Sequence, residues 1–419
     1  MKNKCKAAIS CVCISVFLLS CNTQTSPDTK KFDVVPVEAG LGNLTDLKAS
    51  EYFHKISYVP LETNENCLIG REPAVHLFGD KILVTSFPRQ CMLFDRSGRF
   101  ISSVGHVGED PEGYSKTDNW TNERTGTIYF PGWNKNLITY QDDGTFRGIV
   151  RIPEGNKTPT GEFEFLNNGT IVQYANELFG NTEYLLFFRD GELIKKIGIH
   201  EKDSVQFDIS NVQSFSILKS EIAKAYTPAG MGGVYLIDFK EADKGLISLV
   251  NTNHLWRIED DIFFKTTYND TIYQVLDTAL IPVKAFDLGK YHWEYKDRFD
   301  KTRKDVILMT QILDSRNLML FRFAINVFNK VTPYNAILNK TTGELKIADS
   351  NNGIEDDLTN FIPLQPLTVS TSGEYASLLS VDNILTWFDE HKNVSGLPAE
   401  VEKLKQIGEE DNPVVVIME

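Results

Sequence analysis

The chain has 419 residues, of which 43 are Lys or Arg and 57 are Asp or Glu, giving a formal net charge of −14. An acidic chain without a basic run is poorly suited to nucleic acid, because such binding depends on neutralising phosphates with Lys and Arg. The composition therefore excludes nucleic acid as an expected partner, and the length suits one large β domain or two smaller ones.

The first 20 residues carry three lysines and then an apolar run from Ala7 to Leu19. This pattern is typical of a secretory signal, and the run is shorter than the ~20 residues that cross a bilayer. The ending LLSC resembles a bacterial lipobox, in which Cys21 becomes the lipidated first residue. We expect a signal peptide at 1–20, a lipidated cysteine and tether at 21–48, and membrane contact through the lipid alone. An ordinary signal peptide that contains cysteines is the alternative.

Two cysteines, Cys67 and Cys91, remain in the part of the chain expected to fold. In an oxidising compartment they can form a disulfide, and closing a loop of about 25 residues would stabilise the fold by roughly 3.5 kcal/mol. Two separately buried thiols are the alternative reading. The spacing alone leaves both open.

A turn flanked by β-forming residues recurs along the chain. LFDRSGRFISSVG places Gly98 in such a turn, and ITYQDDGTFRGIVRI and LFFRDGELIKKIG repeat it around Gly144 and Gly191. Asp-Gly and Ser-Gly turns between β runs predict hairpins, because glycine accepts the positive φ that tight turns need. Two degenerate units follow, around Asp270 and Gly343.

A strand-rich unit of about 45 residues that recurs is typical of a β-propeller blade, since one small sheet cannot bury both faces without neighbours. The last blade is expected to combine KISYVPLET (55–63) with NPVVVIME (412–419). We therefore predict an all-β fold in which residues 49–419 form a six-bladed β-propeller, closed by N- and C-terminal strands in one blade. A sandwich or barrel explains the alternation but not the regular spacing.

Three segments in the C-terminal half carry apolar residues at helical spacing and predict helical insertions: 295–313, 375–391 and 397–413. The last of these is amphipathic and stops before a proline. We expect these helices to pack on the outside or on one rim of the ring.

The chain resembles the six-bladed β-propeller lipoproteins of Bacteroidota, within the wider NHL- and TolB-like group. The resemblance rests on ISYVPLET followed by CLIG, on LFDRSGRFISSVGHVGEDPEGY, on YNDTIYQV and on the ending DNPVVVIM. Gly108, Pro111 and Tyr114 match the family's loop after the first hairpin, whereas three residues between them depart from it. The resemblance implies a propeller fold in the cell envelope and no common activity.

Motifs for catalysis are missing from the sequence: it has no G-x-S-x-G, H-E-x-x-H, Walker or G-x-G-x-x-G pattern. Acidic pairs, such as Asp142–Asp143, are read as solvated turn residues. The segment DSNNGIEDD (349–357) lacks the order of an EF-hand loop. We therefore assign no catalytic residue, metal ligand or cofactor.

Trp120 and Trp133 fall in loops near the first two blades, where a propeller's loops converge on a face. A loop tryptophan can stack on a sugar or a peptide side chain, and core packing between blades is the alternative. Together with His106, these residues are the candidate ligand-binding residues.

Three functions stay open at this point. The favoured one is an envelope lipoprotein that binds a glycan, a peptide or a partner protein on one face of the propeller. The second is a glycan hydrolase or lyase that uses carboxylates at the central opening. The third is a scaffold subunit of an envelope complex.

We predict that replacing Cys21 by Ser abolishes membrane association and leaves the protein folded, because the lipid is attached outside the propeller. Fractionation of cells followed by mass spectrometry of the N-terminus measures both effects. A wild-type protein that is wholly soluble, with an unmodified N-terminus, would contradict the anchor.

Overall fold

The computed structural model describes residues 33–87, 90–153, 161–177, 182–199, 209–218, 234–249, 253–349 and 353–419. Within these ranges the chain consists mainly of short antiparallel strands, as expected for an all-β fold. Cys21 and the predicted signal peptide lie outside the described residues. In the described part, no helix is long and apolar enough to span a bilayer.

The described chain begins with β1 (Asp33–Val35), the short helix α1 (Val37–Leu41) and, further along, β2 (Ile56–Pro60). Val35 and Val37 are completely buried. The assignment of the whole segment 21–48 to a tether was therefore wrong from residue 33 onward, because its apolar side chains are part of the core.

The next three sheets are each formed by four consecutive antiparallel strands. Sheet 1 contains β3 (Arg71–Phe78), β4 (Lys81–Phe87), β5 (Gln90–Asp95) and β6 (Phe100–Ser103). Sheet 2 contains β7 (Trp120–Asn122), β8 (Thr127–Pro131), β9 (Asn136–Gln141) and β10 (Phe146–Arg151). Sheet 3 contains β11 (Glu162–Phe165), β12 (Ile171–Glu177), β13 (Thr182–Arg189) and β14 (Glu192–Gly198).

A small sheet of three strands comes next in the chain, before the four-strand pattern resumes. The small sheet contains β15 (Val212–Leu218), β16 (Val234–Phe239) and β17 (Gly245–Leu249). Sheet 4 contains β18 (Leu255–Ile258), β19 (Asp261–Phe264), β20 (Thr271–Leu276) and β21 (Ala279–Phe286), and β1 joins it by pairing in parallel with β21.

The two remaining sheets complete the described chain. Sheet 5 contains β22 (Ile307–Asp314), β23 (Leu318–Ile325), β24 (Thr332–Asn339) and β25 (Leu345–Asp349). Sheet 6 contains β26 (Thr368–Val369), β27 (Tyr375–Leu379) and β28 (Val414–Met418), with β2 as its fourth strand.

Hairpin turns lie where the repeat predicted them. Gly98, Gly144, Gly191 and Gly343 all have φ between 77° and 86° and connect the third strand of a sheet to its fourth. At Gly98 a Cβ atom would also lie 2.1 Å from the carbonyl oxygen of Pro60. Both the positive φ and this close contact therefore require glycine.

The equivalent turn in sheet 4 was placed wrongly. Asp270 lies between β19 and β20, the second and third strands, whereas the third-to-fourth turn holds Asp277 with φ of 54°. An aspartate that adopts the left-handed conformation replaces glycine there, so the glycine signal is missing from the sequence.

The helical predictions were partly wrong. Segment 375–391 contains β27 and then α2 (Val381–Glu390), capped by Ser380, whose hydroxyl accepts a hydrogen bond from the amide of Asn383. Segment 397–413 contains α3 (Ala399–Lys403) and a 3₁₀ turn. Segment 295–313 ends in β22 instead of forming a helix, because side chains on both faces of that strand are buried. Short 3₁₀ turns occur at Ala49–Glu51, Ile209–Asn211, Gly289–Tyr291, Tyr295–Asp297 and Leu404–Gln406.

Hydrophobic clusters fill the spaces between sheets. One cluster each joins sheets 1 and 2, 2 and 3, 3 and 4, 4 and 5, 5 and 6, and 6 and 1. The small sheet packs through Val234 and Ile247 against Trp293 and the start of β22. Each sheet from 1 to 6 is therefore covered on both faces by other sheets, which a four-stranded sheet requires for stability.

The predicted pairing of the two end segments is confirmed. β2 is antiparallel to β28, with Ile56 opposite Met418 and Pro60 opposite Val414, and β28 pairs on its other side with β27. All five residues of β28 are buried. The last strand of the chain is thus an interior strand of sheet 6.

Cys67 and Cys91 are both free thiols, so the disulfide that the sequence left open is not formed. Cys67 packs in the cluster between sheets 6 and 1, whereas Cys91 packs in the cluster between sheets 1 and 2. Sheet 1 therefore separates the two sulfur atoms. Burial raises the pKa of both thiols, which is consistent with unreactive core residues.

We predict that deleting residues 413–419 causes misfolding or aggregation. The deletion removes five buried side chains, each worth about 1.5–3 kcal/mol, and the sum is comparable to the ~5–15 kcal/mol that stabilises an ordinary domain. It also leaves β2 and β27 without their shared partner. Scanning calorimetry and light scattering measure the effect, and a variant lacking only Glu419 is the control. A truncated protein that melts cooperatively near the full-length temperature would contradict this prediction.

Candidate functional site

A polar cavity of about 170 Å³ lies where the first strands of sheets 1 to 6 come together. β7 contacts β11, β11 contacts β18, and the contacts continue through β22 and β26 to β3. Each of these six strands supplies lining residues: His76, Trp120, Glu162, Arg257, Leu313 and Thr368. Because successive side chains of a strand point to opposite faces, the first strands can present polar groups to the cavity and apolar groups to the core.

Glu162, the first residue of β11, fastens sheet 3 to sheet 4. One of its carboxylate oxygens lies 2.6 Å from Nδ1 of His254, and the other accepts hydrogen bonds from the backbone amides of His254 and Leu255. The imidazole of His254 also packs at 4.5 Å from the ring of Tyr174. Burial opposes protonation of His254, but the carboxylate of Glu162 outweighs it and raises the histidine pKa.

A second ion pair joins the same two sheets. The guanidinium of Arg257 lies 3.1 Å from the carboxylate of Glu164 and donates a further hydrogen bond to the carbonyl oxygen of Phe165. Burial raises the pKa of Glu164, while the positive charge of Arg257 opposes that shift. Both partners are mostly buried, so the pair sets the register between sheets 3 and 4.

Further polar contacts link sheet 4 to sheet 5 and sheet 6 to sheet 2 around the cavity. The indole nitrogen of Trp256 donates to Asp314 at 3.3 Å, linking sheet 4 to sheet 5, and Asp314 in turn pairs with Lys340 at 2.5 Å. The hydroxyl of Thr371, which follows β26, donates to Glu123 at 2.6 Å, linking sheet 6 to sheet 2. The three glutamates that line the cavity therefore all have protein partners.

His76 differs from these residues. It lies on β3 and lines the cavity, and its imidazole has no hydrogen-bond partner among the described residues. Burial lowers its pKa, so the ring is neutral and offers one donor and one acceptor. Asn253 lines the cavity as well, and its side-chain amide has no partner in the described part of the chain.

Of the three residues that the sequence proposed for ligand binding, Trp120 alone lines the cavity. Its indole packs edge-on against Phe163, with 4.7 Å between ring centroids. The ring is therefore held in one orientation by core packing, while part of its surface stays exposed to the cavity.

His106 and Trp133 lie together on the surface of two loops outside the cavity lining. The Trp133 indole donates to the carbonyl oxygen of Gly108 at 2.6 Å, and Nε2 of His106 lies 2.6 Å from the carboxylate of Asp110. Trp133 is 53% exposed, so its ring face is available although its N–H is engaged.

Tyr114, one of the residues that carry the family resemblance, is fully buried and holds this loop in place. It stacks on Phe130 at 4.2 Å and donates its hydroxyl proton to the carbonyl oxygen of Val104. Its role in the structure is thus to anchor the loop.

Sequence reasoning missed His76, Glu162, Glu164, His254 and Arg257. A signal existed in GEFEF (161–165), where carboxylates alternate with phenylalanines, and in HLWRI (254–258). This alternation is that of a strand with one polar face. Long-range packing determines which strands meet at the cavity. The sequence therefore could not show that these five residues lie near one another.

In the described residues, no group of three or more His, Cys, Asp or Glu side chains is placed to hold a metal ion. The acidic segment 349–357 lies partly outside the described residues. Of its described members, Asp356 accepts a hydrogen bond from the hydroxyl of Tyr58 at 2.7 Å, and Asp357 accepts one from the amide of Ser50 at 2.8 Å.

Small antiparallel sheets packed around a polar cavity define the class: an all-β, propeller-like protein. The chain belongs to the DUF4934 family, a domain of unknown function whose model matches residues 32–419. A comparison with curated protein sequences finds no match.

Among solved structures, the chain is similar to a candidate exported protein of Bacteroides fragilis NCTC 9343, with a TM-score of 0.59 and 14% identity. That similarity covers 90% of this chain and 97% of the other, and at this identity it shows a shared fold alone. A DUF4221 family member of Bacteroides vulgatus matches with a TM-score of 0.38 and 9% identity, covering 87% and 96% of the two chains. The β-propeller domain of Cps50 (Swd1) from Myceliophteria thermophila matches with a TM-score of 0.33 and 11% identity, covering 70% and 90%.

We predict opposite pH dependences for the contributions of His76, which lines the cavity, and His254, which pairs with Glu162, to stability. The folded-state pKa of His254 is raised above its usual ~6.5, so its contribution is present below that pH and is lost as pH rises through the folded value. The pKa of His76 is lowered, so its contribution is present above pH ~6.5 and is lost as pH falls.

Melting temperatures of wild-type protein and of the His254→Gln and His76→Gln variants between pH 5 and 9 test this. The decrease in melting temperature caused by H254Q should be largest near pH 5.5 and should shrink toward pH 9. The decrease in melting temperature caused by H76Q should shrink as the pH falls. The same pH trend in both variants would contradict the assignment of charges.

Proposed function

We propose that this chain is an exported envelope lipoprotein, anchored through Cys21, whose six-bladed propeller binds a ligand in its central cavity. Two features support six blades and a closed ring. The interfacial clusters follow the order 1-2-3-4-5-6-1, and sheet 6 takes strands from both ends of the chain. On this reading the small sheet is an insertion between the third and fourth blades.

The observation that carries the binding function is the contrast between engaged and available polar groups in the cavity. Glu123, Glu162 and Glu164 are engaged with protein partners, whereas the neutral imidazole of His76 and the amide of Asn253 are not. His76 is half-buried and Asn253 is exposed, so the side chains of both can reach a ligand. A hydrogen bond from a ligand to either group adds to the affinity.

The size and chemistry of the cavity limit the kinds of ligand that it can bind. At about 170 Å³ it is smaller than the ~300–1,000 Å³ of ordinary ligand sites, so it admits one sugar ring or one side chain of a larger molecule. The available groups are neutral, and Trp120 supplies an aromatic wall. The ligand is therefore a glycan, a peptide or an envelope protein that inserts a neutral polar end group.

A glycan hydrolase or lyase is the second candidate. It is favoured by the pKa of Glu164, which burial raises above its usual value, since a raised carboxyl pKa is a property of general acids. The ion pair with Arg257 opposes this role, because it holds the carboxylate between two sheets.

A scaffold role has its own supporting observation in the small sheet, where Phe215 and Ile217 are 50% and 48% exposed. The nearby residue Ile209 is 66% exposed. Exposed apolar side chains of this kind are common at protein–protein contacts.

Thermal-shift screening of the purified protein against neutral and acidic oligosaccharides and short peptides tests the central cavity. A ligand at 100 times its Kd adds about 2.7 kcal/mol of stability and so raises the melting temperature. For a hit, His76→Ala should weaken binding about tenfold, the value of one hydrogen bond of ~1.4 kcal/mol. Trp133→Ala is the matched control, because Trp133 lies outside the cavity lining.

The three functions give different results in this assay. Turnover of an oligosaccharide that is lost in Glu164→Gln would favour the hydrolase or lyase. Absence of any hit, combined with stoichiometric recovery of an envelope protein that depends on Phe215, would favour the scaffold. Binding that is unchanged in His76→Ala would contradict the central cavity as the site.

A further inference from the structure

A second concavity, of about 660 Å³, lies between sheets 2 and 3. It is lined by the turn between β7 and β8, by β10, and by the β11–β12 and β13–β14 turns. We call it the arginine groove, after Arg124 and Arg151, which both line it. Its volume lies within the range of ordinary ligand sites.

The two arginines are exceptional in this chain. They are the two described arginines for which the structure gives no hydrogen bond or ion pair, and both are exposed. The cationic side chains elsewhere are mostly paired, as in Arg96 with Glu374 and Arg257 with Glu164. In a protein with a formal charge of −14, two unpaired guanidinium groups in one concavity form a local positive region that attracts anions.

The local structure fixes the backbone positions from which the two arginine side chains extend. Arg151 lies on β10, where exposed residues alternate with partly buried ones, so Arg147, Ile149 and Arg151 share one face. Arg147 donates hydrogen bonds to the carbonyl oxygen of Thr125 and to the hydroxyl of Thr127, and so holds the turn that carries Arg124. The positions of both arginines are thus set by the sheet.

The other groups that line the groove favour a ligand that has hydroxyl groups and an apolar face in addition to negative charge. Tyr129 stacks on Phe165 at 4.1 Å and forms an aromatic wall, and Asn122 and Asn167 supply amide donors and acceptors. Asp190, the single acid among the lining residues that the structure describes, repels anionic groups but accepts hydrogen bonds from hydroxyls.

A fitting ligand therefore carries negative charge for the arginines, hydroxyl groups for the aspartate and amides, and a flat apolar face for the tyrosine. We propose that the arginine groove binds an acidic oligosaccharide, one whose sugar rings bear carboxylate or sulfate groups. The guanidinium groups of Arg124 and Arg151 bind the anionic substituents, and Tyr129 packs against a ring face. This site is separate from the central cavity and does not depend on the function proposed for it.

Isothermal titration of the full-length protein with tetragalacturonate, its neutral methyl ester and a sulfated tetrasaccharide tests the proposal. Wild-type protein should bind an acidic tetrasaccharide with micromolar Kd and the ester at least tenfold more weakly. Raising NaCl from 50 to 300 mM should weaken binding of the acid several-fold, because salt screens exposed charges.

The double variant Arg124→Gln/Arg151→Gln should bind the acidic tetrasaccharide at least tenfold more weakly than wild type. The double lysine variant should fall between them, since it keeps the charge and loses the bidentate geometry. Arg99→Gln together with Arg316→Gln is the control, with the same change in net charge at exposed positions outside the groove. Melting temperatures measured in parallel show whether each variant is folded.

Which acidic tetrasaccharide binds distinguishes carboxylated from sulfated ligands, and either result supports the proposal. Equal affinity for acid and ester, binding unchanged in the glutamine variant, or no binding of any acidic tetrasaccharide would overturn it. Tight, arginine-dependent binding of tetraglutamate without binding of the sugars would also overturn it, in favour of an acidic peptide.

Discussion

The pairing of β2 with β28 is the interaction on which the described structure depends most. Ile56 lies opposite Met418, so one sheet is built from strands at opposite ends of the folded chain. The side chains of β28 enter two clusters, one toward sheet 5 and one toward sheet 1. Without β28, β2 has no partner in sheet 6 and only the β26–β27 pair remains, and both neighbouring sheets lose part of the apolar surface that covers them. Because pairing residues so distant in sequence costs loop-closure entropy, we expect the contact between β2 and β28 to form late in folding.

Polar links between first strands add specificity to this apolar packing. Hydrophobic contacts between sheets tolerate small shifts, whereas the Glu164–Arg257 pair and the hydrogen bond from Trp256 to Asp314 require one alignment. Buried ion pairs contribute little net stability because desolvation offsets the attraction between charges. Their consequence here is geometric: they fix the first strands relative to one another, and so fix the shape of the cavity between them. His76, which has no such partner in the described chain, lies on a wall that these links hold in place.

Local signals in the sequence predicted the parts of the fold that depend on local chemistry. The turns at residues 98, 144 and 191 need positive φ, and the sequence has glycine at all three positions. The prediction failed at Asp277, where an aspartate instead of a glycine adopts positive φ. It also failed in segment 295–313, because a strand buried on both faces can show the same spacing of apolar residues as a helix. The cavity could not be predicted from the sequence because its lining residues come from six strands that are far apart in the chain. Trp120 was found because a tryptophan among polar residues is conspicuous, although it lies on β7 and not in a loop as expected. His76 lies in a strand beside apolar residues and has no distinctive neighbours in the sequence.

β7 and the turn that follows it connect the two concavities. Along this segment Thr121 and Glu123 line the central cavity, whereas Asn122 and Arg124 line the arginine groove. A ligand in the groove that pulls on Arg124 therefore acts on the residue next to Glu123, whose carboxylate binds Thr371 of sheet 6 across the cavity. The groups available to a ligand differ between the two concavities: they are the neutral side chains of His76 and Asn253 in the central cavity and the cationic side chains of Arg124 and Arg151 in the arginine groove. The two concavities therefore suit ligands of different charge.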